Sequence, residues 1–261
     1  MQKMIKTLAI IGIASLAVIG CKKNDVQPVQ DEISQEILAK ISSQGFGTSN
    51  VQKTEGGYLV EGDIILSEEF LNSQPGGNLL RIANNEQYRT TNLVNQPRAV
   101  TVSVSGSVSA DFSTAVDNAI ARYNAQGLTL TFSRVSSGGN INIRIVNTRQ
   151  YIASAGFPSG GNPYYEIKYN KTYTTYGIDF MTTVVAHEIG HCIGFRHTDY
   201  MDRSYSCGGA YSNEGASTVG AIHIPGTPTG PDAASWMLAC LSATTNRPFN
   251  ANDVTALKYL Y

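Results

Sequence analysis

Hydrophobic positions change their spacing along this chain in a way that outlines one α+β unit with a smaller segment in front of it. Ile33, Ile37, Leu38 and Ile41 recur at helical spacing up to Gly45, which predicts a short amphipathic helix. Tyr58 to Ser67, "YLVEGDIILS", is a strand-like run rich in Val and Ile. Gly62 interrupts it and points to a bulge or to a close approach of the backbone. After a polar, Gly-containing stretch from Asn72 to Arg98, Val100, Val102 and Val104 alternate with polar residues as in a half-buried strand. Phe112, Ala115, Val116, Ala119, Ile120 and Tyr123 line one face of a helix, opened by Asp111 and closed by Gly127. Leu128, Leu130 and Phe132, then Ile141, Ile143 and Ile145, give two more strands that can hold this helix against a sheet. The Gly-, Tyr- and Pro-rich section from Tyr151 to Tyr165 reads as a long loop. "YEIKYN" at its end reads as an edge strand that an extended peptide could join.

The first residues are of another kind. Lys3 and Lys6 precede an apolar run from Leu8 to Ile19 that is too short to span a bilayer, which predicts a targeting signal over 1–20. It ends in "VIGC", similar to a bacterial lipobox, in which Cys21 would be acylated and become the new N-terminus; "KKND" after it resembles a surface-export tag. The expected location is the cell envelope, as an outer-membrane or cell-surface lipoprotein anchored by acyl chains and released on maturation. Residues 21–98 then read as tether and pro-segment, with Arg89 and Arg98 as positions for an activating cut, and 99–261 as the main domain. At 261 residues and 42% hydrophobic, the chain can bury one good core plus a small attached unit. Nineteen basic against twenty acidic residues leave a net charge of −1, so nucleic acid is not an expected partner.

Three of the four histidines fall within "VVAHEIGHCIGFRHTDY", Val184 to Tyr200. His187 and His191 are four residues apart, so one helical turn sets both imidazoles on the same face about 6 Å apart. Gly194 suits a left-handed helix terminus that would reverse the chain and return His197 as a third ligand. Glu188 projects to the flank of that face, where it can act as general base without coordinating. Three imidazoles with an open fourth position fit catalytic zinc better than a closed structural site. His223 lies outside the string and reads as an ordinary surface or core histidine. With Cys21 assigned to lipid, three cysteines remain. One disulfide plus one buried thiol is the simplest outcome, Cys207 with Cys240 being favoured over pairings that include Cys192.

The complete string HExxHxxGxxH, with "HEIGH" followed by "HTD", resembles the metzincin zinc peptidases, and among them the dual-action HEIGH metallopeptidases. The resemblance implies an α+β, metzincin-like catalytic domain: a twisted mixed sheet, two main helices, an active-site helix, a Met-turn and a C-terminal helix, preceded by a small pro-segment. "SWMLAC" resembles the Met-turn with Met237 as its methionine, ahead of the rival Met201. "FNANDVTALKYLY" resembles the C-terminal helix. Ala239 stands where astacins carry a metal-assisting Tyr, so no tyrosine ligand is expected. "VEGD" resembles the FxGD stretch of astacin pro-segments, which makes Asp63 the residue expected to occupy the metal until the segment is cut away. The implied function is a zinc-dependent endopeptidase acting on extended protein or peptide substrates, made as a latent, lipid-anchored precursor. A catalytically silent surface binding module on the same fold is the alternative, and retention of Glu188 with all three histidines argues for the enzyme.

Overall fold

Short capped helices and a three-stranded meander come first in the computed structural model, which describes residues 33–73, 87–213, 221–228 and 231–261. The targeting signal, Cys21 and the tether up to 32 lie outside the described residues. Helix α1 (Gln35–Ser43) starts where the Ser34 side chain accepts a hydrogen bond from the Ile37 N–H, and it buries Ile41. Strands β1 (Gln52–Thr54), β2 (Gly57–Val60) and β3 (Ile64–Leu66) pair antiparallel in that order, and α2 (Glu68–Asn72) follows a Ser67 cap. The interruption at Gly62 is therefore a hairpin turn and not a bulge. Val60 pairs with Ile64, and Glu61 at φ 53° and Gly62 at φ 89° turn the chain back on itself. Ile41, Phe46, Val60, Ile64, Leu66 and Leu71 form a small core that closes on a single later residue, Phe157.

The larger core is built around a mixed sheet. Strand β4 (Tyr88–Arg89) precedes β5 (Arg98–Ser105), α3 (Ala110–Asn124), β6 (Leu130–Arg134), β7 (Ile141–Val146), β8 (Ala153–Ser154) and β9 (Glu166–Asn170). A 3-10 turn (Lys171–Tyr173) leads to α4 (Ile178–Ile193), followed by α5 (Ser204–Cys207), β10 (Ile222–His223) and α6 (Ala251–Leu260). The sheet order is β6-β5-β7-β9-β8, parallel except for β8, and β4 pairs separately with β10. Helix α3 is capped by Ser109, whose hydroxyl accepts from the Phe112 N–H, so Asp111 lies in its first turn and not at its cap. Its apolar face, Phe112 to Tyr123, is buried as its spacing requires. The Tyr123 hydroxyl donates to the Ala186 carbonyl at 2.7 Å, which ties α3 to α4. Among the described residues no helix is long and apolar enough to cross a membrane.

Two expectations change. "YEIKYN" becomes β9, which has β7 on one side and β8 on the other; the edge belongs to β8, inside the section expected to be loop. Residues 87–97 also pack on the main unit, with no break at 98. The Gln87 side chain is fully buried and donates to Ser235 and Asp253, the Thr90 N–H donates to the Gly194 carbonyl, and the Asn95 N–H to the Gly161 carbonyl. Arg89 and Arg98 themselves lie in paired strands.

Candidate metal centre

Helix α4 is buried from Phe180 to its end, and its last two turns carry His187, Glu188 and His191. It stops at Gly194, whose φ of 112° is the left-handed conformation expected of this glycine. The chain reverses there, the Phe195 N–H closing on the Gly190 carbonyl, and His197 returns to the histidine pair. The His197 ring lies 5.3 Å from that of His187 and 4.9 Å from that of His191. A fourth group enters from the β2–β3 hairpin. Asp63 Oδ2 is 3.2 Å from His197 Nε2 and 3.6 Å from His187 Nε2, and the ligand atoms of Asp63, His187, His191 and His197 all lie within 4.8 Å of one another.

These residues fit zinc on a test independent of the motif. His187 Nδ1 lies 2.9 Å from the Trp236 carbonyl, and His191 Nδ1 lies 2.8 Å from that of Phe195. A carbonyl only accepts, so both Nδ1 atoms carry the proton and both Nε2 lone pairs face inward. Those two Nε2 atoms are 3.0 Å apart with no hydrogen to share, an arrangement that a cation between them relieves. Tetrahedral ligands bound about 2.0 to 2.1 Å from zinc stand roughly 3.3 Å apart; three of the separations, 3.0, 3.2 and 3.6 Å, lie near that spacing, and all four donors stay within 4.8 Å of one another. Burial and the neighbouring imidazoles push His191 well down, towards the neutral, ligating form. Burial pushes Asp63 up, but His197 and His187 outweigh it and hold the carboxyl well below its usual range.

Glu188 is buried, with Oε2 lacking a hydrogen-bond partner among the described residues; burial, then the Asp63 charge, pushes its carboxyl well up. It opens on a cleft of about 270 Å³ lined also by Asp63, His187, Ile152, Ala153 and Leu241. Met237 lies against the metal helix, since a Cβ added at Gly190 would stand 2.5 Å from Met237 Sδ. Its carbonyl accepts from the Thr198 N–H, and the preceding carbonyl, Trp236, orients His187. Met201 is half-buried on the turn after His197. His223 lies on β10 and bonds Thr227. Cys207 and Cys240 form a disulfide, and Cys192 is a free, buried thiol.

The sequence profile of the dual-action HEIGH metallo-peptidases matches residues 59–261. The chain belongs to this family. Peptidases of the HEIGH family are zinc-dependent, and the cluster of three histidines and one aspartate is the site able to hold the ion. The match begins in β2, so the Asp63 hairpin lies within the family's own sequence. Two solved structures of myroilysin are similar. One is 18% identical over 41% of this chain and 47% of that chain, with a TM-score of 0.32; the other is 14% identical over 66% and 82%, with a TM-score of 0.43. The alignment thus spans just under half the length of the first. Comparison with curated proteins gives no match.

Sequence reasoning missed several residues around the site. Arg196 is fully buried and bonds Glu61 and the Gly45 carbonyl. Asp199, also fully buried, accepts from the Ala239 N–H and the Ser206 hydroxyl, which joins the third-histidine turn to the stretch of chain after Met237. Arg196 occupies a free position of the motif string, which gives no sign of it; Asp199 is the last residue of the "HTD" that carries the resemblance, but nothing in that string assigns it a role.

Proposed function

We propose that this HEIGH-family protein is a zinc-dependent endopeptidase made as a latent, lipid-anchored precursor, in which Asp63 fills the fourth donor position. The observation that carries the reading is the origin of the four donors: three imidazoles come from α4 and the turn after it, the carboxylate from the N-terminal hairpin. His187, His191 and His197 would hold the ion, with the Trp236 and Phe195 carbonyls fixing two of the rings. When bound, zinc supplies a Lewis acid that lowers the pKa of water and polarises a carbonyl. Glu188, which flanks the ligands, lines the cleft and has one oxygen without a hydrogen-bond partner among the described residues, takes the proton of the attacking water and returns it to the leaving nitrogen.

The hairpin also covers the main-chain groups that an extended substrate would use. The Ile65 N–H donates to the Ala155 carbonyl at 2.6 Å, and the Ala155 N–H to the Asp63 carbonyl at 2.9 Å, so the free edge beyond β8 is taken. Removal of the hairpin would free the metal's fourth position and that edge together. Because residues 87–97 belong to the peptidase core, the activating cut is proposed upstream of Gln87 in place of Arg89 or Arg98. Such a cut would separate the peptidase from Cys21 and its acyl chains.

Purified precursor should digest casein only after limited proteolysis, and Asp63→Ala, which frees the metal's fourth position but keeps the hairpin, should shorten the lag before activity appears. Full activity of the uncut wild type, or unchanged latency in Asp63→Ala, would remove the aspartate from the mechanism.

A further inference from the structure

Arg196 is a charge from the peptidase core whose polar partners, among the described residues, all come from the pro-segment. Its guanidinium is completely buried: Nη1 donates to the Gly45 carbonyl at 2.8 Å, Nη2 to Glu61 Oε1 at 2.5 Å, and Cζ stands 4.3 Å from the centre of the Phe46 ring. Its Nε has no partner among the described residues. Arg203, six residues beyond His197, holds the same pro-segment residue by its main chain. It donates to the Glu61 carbonyl, and its guanidinium comes so close to Gly62 that a Cβ there would lie 2.6 Å from Nη2. Two arginines thus grip one glutamate, by side chain and by backbone, two residues before the carboxylate at the histidine cluster. Departure of this segment strips the carboxylate, the carbonyl and the Phe46 ring from Arg196 together, and so opens a cationic pocket at the cleft suited to another anion.

We propose that Arg196, with Arg203 beside it, is a specificity determinant of the mature peptidase: it forms a subsite for an Asp or Glu side chain within about two residues, roughly 7 Å, of the bond to be cut. In the precursor Glu61 fills that subsite. The inference rests on the peptidase reading above and adds the class of substrate side chain it selects. Planar, two-pronged guanidinium recognition favours carboxylate over the isosteric amide, and the preference appears mainly in KM because the contact is made before and during the reaction alike.

The test uses the zinc-loaded, proteolytically activated enzyme and fluorogenic peptides in which each position around the cut carries Glu, Gln, Leu or Lys in turn. At one position the wild type should cut the Glu peptide with a kcat/KM about 10-fold or more above the Gln peptide. Arg196→Gln should bring that ratio close to one, the loss falling mainly on the KM of the Glu peptide. The paired reversal Arg196→Glu with Glu61→Arg keeps a buried ion pair in the precursor, and so guards against simple misfolding. Once activated, it should prefer Lys at the same position. Equal cleavage of Glu and Gln peptides at every position by wild type, or an acidic preference that survives in either variant, overturns the subsite while leaving the peptidase standing. Absence of cleavage of every peptide by activated wild type overturns both.

Discussion

Glu188 and His197 differ in what each does for the centre, and single substitutions separate the two. His197 contributes one of the clustered nitrogens, whereas Glu188 lies outside the set of clustered donors, lines the cleft and has one buried oxygen without a hydrogen-bond partner among the described residues. Glu188→Ala should therefore retain one zinc per chain by metal analysis and an unchanged melting curve, yet lose at least about 10²-fold in kcat/KM. His197→Ala should lose metal affinity and activity together. Turnover at the wild-type rate by the first variant, or undiminished zinc affinity in the second, would reverse these assignments.

At the level of elements, helix α4 is held from below by Trp236 and Met237, and that stretch by the start of α6. Gly190 is the point of closest approach, with Met237 Sδ 2.5 Å and Trp236 Nε1 3.2 Å from where a Cβ would stand; both side chains are themselves buried. Gly190→Ala should cost about 1 to 3 kcal/mol through overpacking and lower Tm by about 2 to 4 °C for each kcal/mol. Adding Met237→Ala should recover part of that loss, and a Gly190→Ala protein that melts like wild type would contradict the close contact. Asp253 supplies the next link. It caps α6 by accepting from the Asn250 N–H, and it also accepts from the Trp236 N–H and from Gln87 Nε2. Burial pushes its carboxyl up to about 6 against the pull of hydrogen bonds from Asn250, Ser235 and Trp236. A carboxyl raised on folding binds its proton more tightly in the native state. Its contribution is thus full below about pH 4 and is lost as pH rises through about 6, by at most about 3 kcal/mol. The stability advantage of wild type over Asp253→Asn should narrow across that window in thermal melts, and a gap independent of pH would refute the shift.

Across the whole molecule, a small N-terminal core closes over the cleft of a larger one through Phe157, the Asp63 carboxylate and the Glu61 grip. The proposed function would couple anchoring to latency, because one cut upstream of Gln87 would remove both Cys21 and the hairpin. Labelled palmitate should enter the full-length precursor and not Cys21→Ser, and the active form should appear unlabelled in the soluble fraction. Equal labelling of Cys21→Ser would discard the anchor. An active form that stays acylated would separate activation from release.

The sequence by itself determined the metal centre's local half. The spacing of His187 and His191 is set by one helical turn, and the reversal at Gly194 by a conformation that glycine adopts freely, so the three clustered histidines were legible without any long-range contact. The α3 face and the core strands were legible for the same reason, since their periodicity follows from backbone geometry. Asp63 could be picked out only by its resemblance to a motif; its arrival 3.2 Å from His197 depends on a hairpin more than a hundred residues away in the chain. Tertiary structure alone decided that β8 and not β9 is the edge, and that residues 87–97 belong to the peptidase core. It alone made the Trp236 carbonyl the partner of His187, and Gly45, Phe46 and Glu61 the cover of Arg196. In each of these cases the deciding contact joins distant parts of the chain, often through backbone groups that every residue carries alike, so it leaves no local pattern to read.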